Sequence, residues 1–110
     1  MPTLLDELDT AFRFVTDSQT ALWVGGRVTE KPSEIFKRHF WIAPFLDRRH
    51  EANVEDLVDV LGADHVLFGS DWPHGEGRDT PRHFEEELAD VDAAALPPIL
   101  RDNMAGLLGL

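Results

Sequence analysis

The stretch Val66-Leu-Phe-Gly-Ser-Asp-Trp-Pro-His74 holds the residues best suited to chemistry. It begins as an apolar run and ends in a carboxylate, an indole and an imidazole in close succession. Asp71 follows a Gly-Ser pair small enough to let a ligand approach. In a parallel α/β arrangement, functional groups gather at the C-terminal ends of strands. A carboxylate in that position can bind a divalent cation or move a proton. Asp also caps turns ahead of proline-containing loops, and residue type alone leaves both roles open.

The other polar residues give weaker signals. The five histidines stand at positions 39, 50, 65, 74 and 83, with no His-x-His pair and no His-x-x-x-His helical pair. His39 and His65 open apolar runs, where a structural role is expected. His50 lies in the charged stretch Asp47-Arg-Arg-His-Glu51, read as a solvated loop, and His83 sits beside Arg82 on the front of a helix. Glu85, Glu86 and Glu87 near a helix start favour the helix dipole. Gly75-Glu-Gly77 lacks a phosphate-loop pattern, and Ser70 lacks the G-x-S-x-G context of a serine hydrolase. Cysteine is absent, which excludes disulfides, thiolate metal ligands and a cysteine nucleophile.

The elements that must position these groups follow from periodicity. Leu4, Leu5, Leu8, Phe12 and Val15 repeat at helical spacing, with Thr3 and Asp6 as a capping box. Pro32 opens a second helix through Arg38. His39-Phe-Trp-Ile-Ala-Pro-Phe45 reads as a short strand buried on both faces, restricted by Pro44 to a strand end or edge. Asn53 and Asp56 start a helix with Val54, Leu57, Val58 and Leu61 on one face, and Gly62 stops it. His65-Val-Leu-Phe-Gly69 is a second buried strand. Thr80-Pro81 begins a helix carrying Phe84 and Leu88. Pro97 or Pro98 opens a terminal helix with Leu100, Met104, Leu107 and Leu108 turned inward. Two strands separated by a helix make a right-handed βαβ unit, so the class is α/β. Two parallel strands do not stand alone, because each leaves an unpaired edge.

Composition narrows the partners. The 110 residues bound the chain to one domain and fall short of the ~250 residues of a complete α/β barrel. With 43% hydrophobic and 28% charged residues the chain reads as globular. Ten basic against 21 acidic residues give a net charge of −11, which repels phosphate backbones and anionic lipid. Neither nucleic acid nor a membrane is an expected partner. The acidic N-terminus lacks the basic region of a secretion signal, so a cytoplasmic location is expected.

The run "LGADHVLFGSDWPHGEG" followed by "ILRDNMAGLLGL" resembles the C-terminal end of the amidohydrolase-related family. These metal-dependent (β/α)8 barrels include aminocarboxymuconate-semialdehyde decarboxylase and the resorcylate-type decarboxylases. The family's G-S-D-x-P-H element is matched by Gly69, Ser70, Asp71, Pro73 and His74, and its closing helix by Asn103 to Leu110. "KPSEIFKRHFWIAPF" resembles the helix and strand before them. The resemblance implies the last two parallel strands of a TIM-type barrel with their flanking helices, residues 1–110 forming a partial barrel domain. It implies Asp71 as catalytic residue and metal ligand, usually to zinc, with His74 contacting substrate. Trp72 either walls the substrate pocket or packs under the loop. Substrates would be small carboxylated or cyclic molecules, undergoing hydrolysis or non-oxidative decarboxylation. The family's His-x-His pair and its further histidine ligands have no counterpart here, so the chain is expected to be inactive unless a complementing chain supplies them. The contrasting expectation is a non-catalytic α/β module that docks through its strand edges onto a partner or a second copy.

Overall fold

The computed structural model describes residues 2–17, 28–44, 53–75, 77, 80 and 82–110. They group into two compact units, Met1–Phe40 and Trp41–Leu110. No described helix is long and apolar enough to cross a membrane.

The first unit pairs two helices. Helix α1 (Pro2–Asp17) starts on its proline, so Thr3 lies within the first turn and does not cap it, unlike the expected capping box. Leu5 is buried, whereas Leu4 and Leu8 of the same apolar repeat are exposed. Helix α2 (Pro32–His39) has Lys31 at its N-cap, which makes no side-chain cap bond. The Ser33 amide is instead met from α1, while the Glu34 amide donates to the Lys31 carbonyl at 3.0 Å. Asp9 accepts from the backbone N–H of Ser33 at 2.9 Å and from its hydroxyl at 2.6 Å. A carboxylate at a helix N-terminus satisfies free amides and opposes the positive dipole end. The Ser33 hydroxyl and amide, in that order, hold the Asp9 carboxyl below its ordinary value of 3.8.

A pH dependence follows from that depression. A carboxylate whose folded-state pKa is lowered stabilises the fold fully above its ordinary value, and that contribution is lost as pH falls through the lowered one. Amide exchange at Ser33 is expected to quicken several-fold, beyond the intrinsic trend, as the solution is acidified below ~4. In Asp9→Asn that extra acceleration disappears. Hydrogen exchange read by NMR from pH 6 downward checks it, and an unchanged profile in Asp9→Asn would rule the cap out.

The second unit is built around a short helix and two extended segments. Helix α3 (Val54–Leu61) is capped by Asn53, whose side-chain oxygen accepts from the Asp56 amide at 2.8 Å. Gly62 ends it at φ 91°, as its position predicts. Val54, Leu57 and Leu61 are buried. A 3-10 turn (Ala63–His65) leads into the segment at 66–69. Helix α4 (Arg82–Glu87) buries Phe84, which meets Phe68 edge-on at 5.2 Å. A second 3-10 turn (Ala93–Ala95) precedes a π-helical turn (Pro98–Asp102) that runs into α5 (Asn103–Leu108). Ile99 is the buried residue of that terminal segment. Leu100, Met104, Leu107 and Leu108, expected inside, are exposed.

The two expected strands are reduced, among the described residues, to a single parallel bridge between Ile42 and Val66. His39 ends α2 and His65 ends the 3-10 turn, so neither opens a strand. Hydrogen-bond accounting shows why the ladder stops. The Ile42 amide donates to the His65 carbonyl and the Ile42 carbonyl accepts from the Leu67 amide, both at 2.9 Å. The next rung upward needs a donor at residue 44, which is proline. The rung below fails because the Phe40 amide is bonded to Phe36 O and the His65 amide to Gly62 O.

Candidate functional site

Residues 70–75 and 77 follow the bridged segment, as the sequence predicts. They are reached through a tight approach at Gly69, where an added Cβ would stand 3.1 Å from the Ala43 Cβ. Asp71 then takes φ 56°, the one non-glycine residue described with positive φ. That conformation costs an L-residue ~1–2 kcal/mol, least for Asp and Asn, and it persists only where neighbours enforce it. The enforcement is visible. The Asp71 carbonyl accepts from the His74 amide at 3.0 Å, and the His74 carbonyl accepts from the Gly77 amide at 2.9 Å. The Ser70 hydroxyl accepts from the Trp72 amide at 3.3 Å.

This folding brings the Asp71 carboxylate and the His74 imidazole onto one open surface. Oδ2 and Nδ1 are 3.8 Å apart, with the two side chains 44% and 65% exposed. Those atoms are beyond hydrogen-bond reach of each other, so both remain able to face a third group. Trp72 is 74% exposed and does not pack under the loop. Ser70 contributes its hydroxyl to the turn.

The remaining candidates lie elsewhere or outside the described residues. His39 is exposed at the C-terminal end of α2, and His65 stacks on Trp41 with centroids 4.9 Å apart. His50 falls outside the described residues, and His83 is a residue of α4. No three His, Asp or Glu side chains converge among the described residues in a way that could hold a metal ion. Zinc takes about four ligands. Asp71 and His74 could offer two, so the described residues do not by themselves fit the zinc site that the family resemblance implies.

Two contributors escape residue-type reasoning. Gly77 sits so close under Asp71 that an added Cβ would meet its carbonyl oxygen at 2.7 Å, while a Cβ on Gly75 would meet nothing within 4 Å. Glycine spacing in the sequence marks the loop as irregular but does not rank its two glycines. Asn103 donates through Nδ2 to the carbonyls of Ala63 and Val66, both at 2.8 Å, and so fixes the segment that carries the loop. Gly77→Ala is expected to displace the Asp71 backbone and cost ~1–3 kcal/mol. Gly75→Ala should stay within ~0.5 kcal/mol of the parent. Thermal melts with amide shifts at His74 separate the two, and equal behaviour would refute the close packing.

A loop bearing an acid and an imidazole follows one parallel bridge and is braced by a closing helical segment, the placement that functional groups take in parallel α/β folds. The family model for amidohydrolases matches residues 10–110, and the chain belongs to that family. Its members share the (β/α)8 barrel. A solved amidohydrolase from Mycobacterium avium subsp. paratuberculosis K-10 is similar at 36% identity with a TM-score of 0.74. The match covers 97% of this chain and 24% of that one, so the chain spans about a quarter of the solved protein's length.

Proposed function

We propose that this chain is the C-terminal part of an amidohydrolase barrel and supplies Asp71 to its active site. The reaction is hydrolysis or non-oxidative decarboxylation of a small carboxylated or cyclic substrate. The observation that carries this reading is the strained Asp71, held at φ 56° by a loop that closes over Gly77. Backbone strain at an exposed acid serves no packing purpose, and such strain clusters where geometry matters for function. In this reading Asp71 holds or moves a proton at its carboxylate, His74 orients the substrate's carboxyl group, and Trp72 offers a flat apolar wall with one donor. The complete site of this family uses a divalent metal, zinc in the usual case, and the further ligands must come from residues beyond those described. They come from a complementing chain or from further residues of a longer polypeptide that includes these 110 residues.

The 110-residue chain alone is expected to bind no stoichiometric zinc and to turn over no carboxylated aromatic substrate. Elemental analysis of the purified chain and an assay of substrate loss check this. Stoichiometric zinc together with turnover by these 110 residues alone would overturn the need for further ligands.

A further inference from the structure

Glycine at position 69 answers to space and not to backbone conformation. The glycines described with positive φ are Gly62 and Gly109, so φ at Gly69 makes no demand for glycine. What excludes a side chain there is Ala43, whose Cβ would lie 3.1 Å from one built on Gly69. A Cβ is fixed to the backbone and cannot turn away, so relief would require the two segments to part. Restoring an ordinary carbon contact means a shift of roughly 0.5 Å. The residues just before Gly69 resist such a shift. The Leu67 amide is tied to the Ile42 carbonyl at 2.9 Å and the Phe68 amide to the Ile99 carbonyl at 3.0 Å. The Val66 carbonyl accepts from Asn103 Nδ2 at 2.8 Å. Side chains alternate along an extended chain, which puts Phe68 on one face and Gly69 on the other. The Phe84 ring packs on the first face, and the Ala43 methyl lies against the second. Pro44, next to Ala43, brings no amide for a further rung.

We propose that Ala43 is a positioning residue for the candidate site. Its methyl, seated against the bare Cα of Gly69, sets the height at which the segment delivers Ser70 and Asp71. Ala43 acts through Gly69 and stands outside the G-S-D-x-P-H element itself. Any displacement of Gly69 passes to the turn that follows. The Ser70 hydroxyl holds the Trp72 amide at 3.3 Å, and the Asp71 carbonyl holds the His74 amide at 3.0 Å. The carboxylate and imidazole, 3.8 Å apart, therefore travel with that turn. A methyl is the largest group the contact admits at position 43 without wedging the segments, and glycine there would let them close. Reacting groups must be held within about 0.5 Å of their working geometry, so a shift of that size matters to chemistry before it matters to folding. The inference rests on the reading of Asp71 as an active-site acid, and it names the residue that governs where that acid stands.

The test makes Gly69→Ala, Ala43→Gly and the double variant, which transposes the methyl across the same contact. NMR of the full chain reads the Asp71 and His74 signals, and thermal melts read stability. Turnover of a carboxylated aromatic substrate is read in a chimera where this chain replaces the matched quarter of the Mycobacterium avium amidohydrolase. Gly69→Ala is expected to move both signals and to lower kcat about tenfold, with KM held within about twofold. Ala43→Gly alone should move the same signals. The double variant should return the signals to their parent positions and kcat to within about threefold of the parent. A role in packing alone would lower the melting temperature and leave the folded-state signals and kcat unchanged, and that result overturns the proposal. A double variant as displaced as Gly69→Ala overturns it too. If Gly69→Ala does not fold, Ala43→Gly and the double variant decide in the same way. A parent chimera without turnover counts against the site reading alone, and the NMR signals still decide the role of Ala43.

Discussion

Asp71→Asn is expected to lower turnover by ~10²–10⁴-fold in a chimera where this chain replaces the matched quarter of the Mycobacterium avium amidohydrolase. Asparagine is the informative substitution. It keeps the size of aspartate and tolerates the positive φ of 56°, so the loop is retained while the proton-accepting oxygen is lost. Alanine would confound the result by adding strain of ~1–2 kcal/mol at the same position. Asp71→Gly provides the converse control, since it relaxes the backbone and removes the carboxylate. If the carboxylate performs the chemistry, both variants lose turnover. If only the loop shape matters, asparagine retains it. Full activity in Asp71→Asn, assayed under saturating substrate, would remove Asp71 from the mechanism.

Asn103→Asp is expected to be the most damaging single-atom change to the second unit, costing about 3 kcal/mol at neutral pH. The substitution replaces a two-proton donor by an anionic oxygen facing the carbonyls of Ala63 and Val66, each 2.8 Å away. Two hydrogen bonds are lost and acceptor meets acceptor. Small domains are stable by only ~5–15 kcal/mol, so much of the folded population is at stake. The variant should also recover in acid, because only the protonated carboxyl can donate to a carbonyl. Its introduced acid would have a raised pKa, and the destabilisation should grow as pH rises through that value. Urea unfolding at acidic and neutral pH measures both effects. A midpoint equal to the parent at neutral pH would show that the Asn103 contacts carry no stability.

The helices and the site loop were legible in the sequence because each rests on local signals. Asn53 and Gly62 bracket α3 through their own side-chain chemistry and backbone freedom, and Pro32 opens α2 where a proline belongs. The placement of Asp71 after an apolar run needs only the run and the turn that follows. What failed was non-local. A strand exists by pairing, and the apolar runs 39–45 and 65–69 find one rung in common before Pro44 and the helix caps divert their donors. The terminal helix was expected to turn its leucines inward, yet Ile99 and Asn103 face the core. A π-helical turn at Pro98–Asp102 shifts the phase of the helix, and a 3.6-residue period cannot anticipate it. Asp9 capping α2 across 24 residues is invisible for the same reason.

The long-range hydrogen bonds also set an order of assembly on the ribosome. The Asp9–Ser33 contact closes a span of 24 residues and needs nothing beyond α2. It can form while the remainder is still being translated. The Asn103 bonds span 40 and 37 residues back to Ala63 and Val66. Until residue 103 has been made, Ala63 O has, among the described residues, only the Val66 amide at 3.5 Å and Val66 O lacks its side-chain donor, so the segment carrying Asp71 is less firmly held. Since chains fold N-terminal part first during synthesis, the Asp9–Ser33 contact can precede the bonds of Asn103 that fix the segment carrying Asp71.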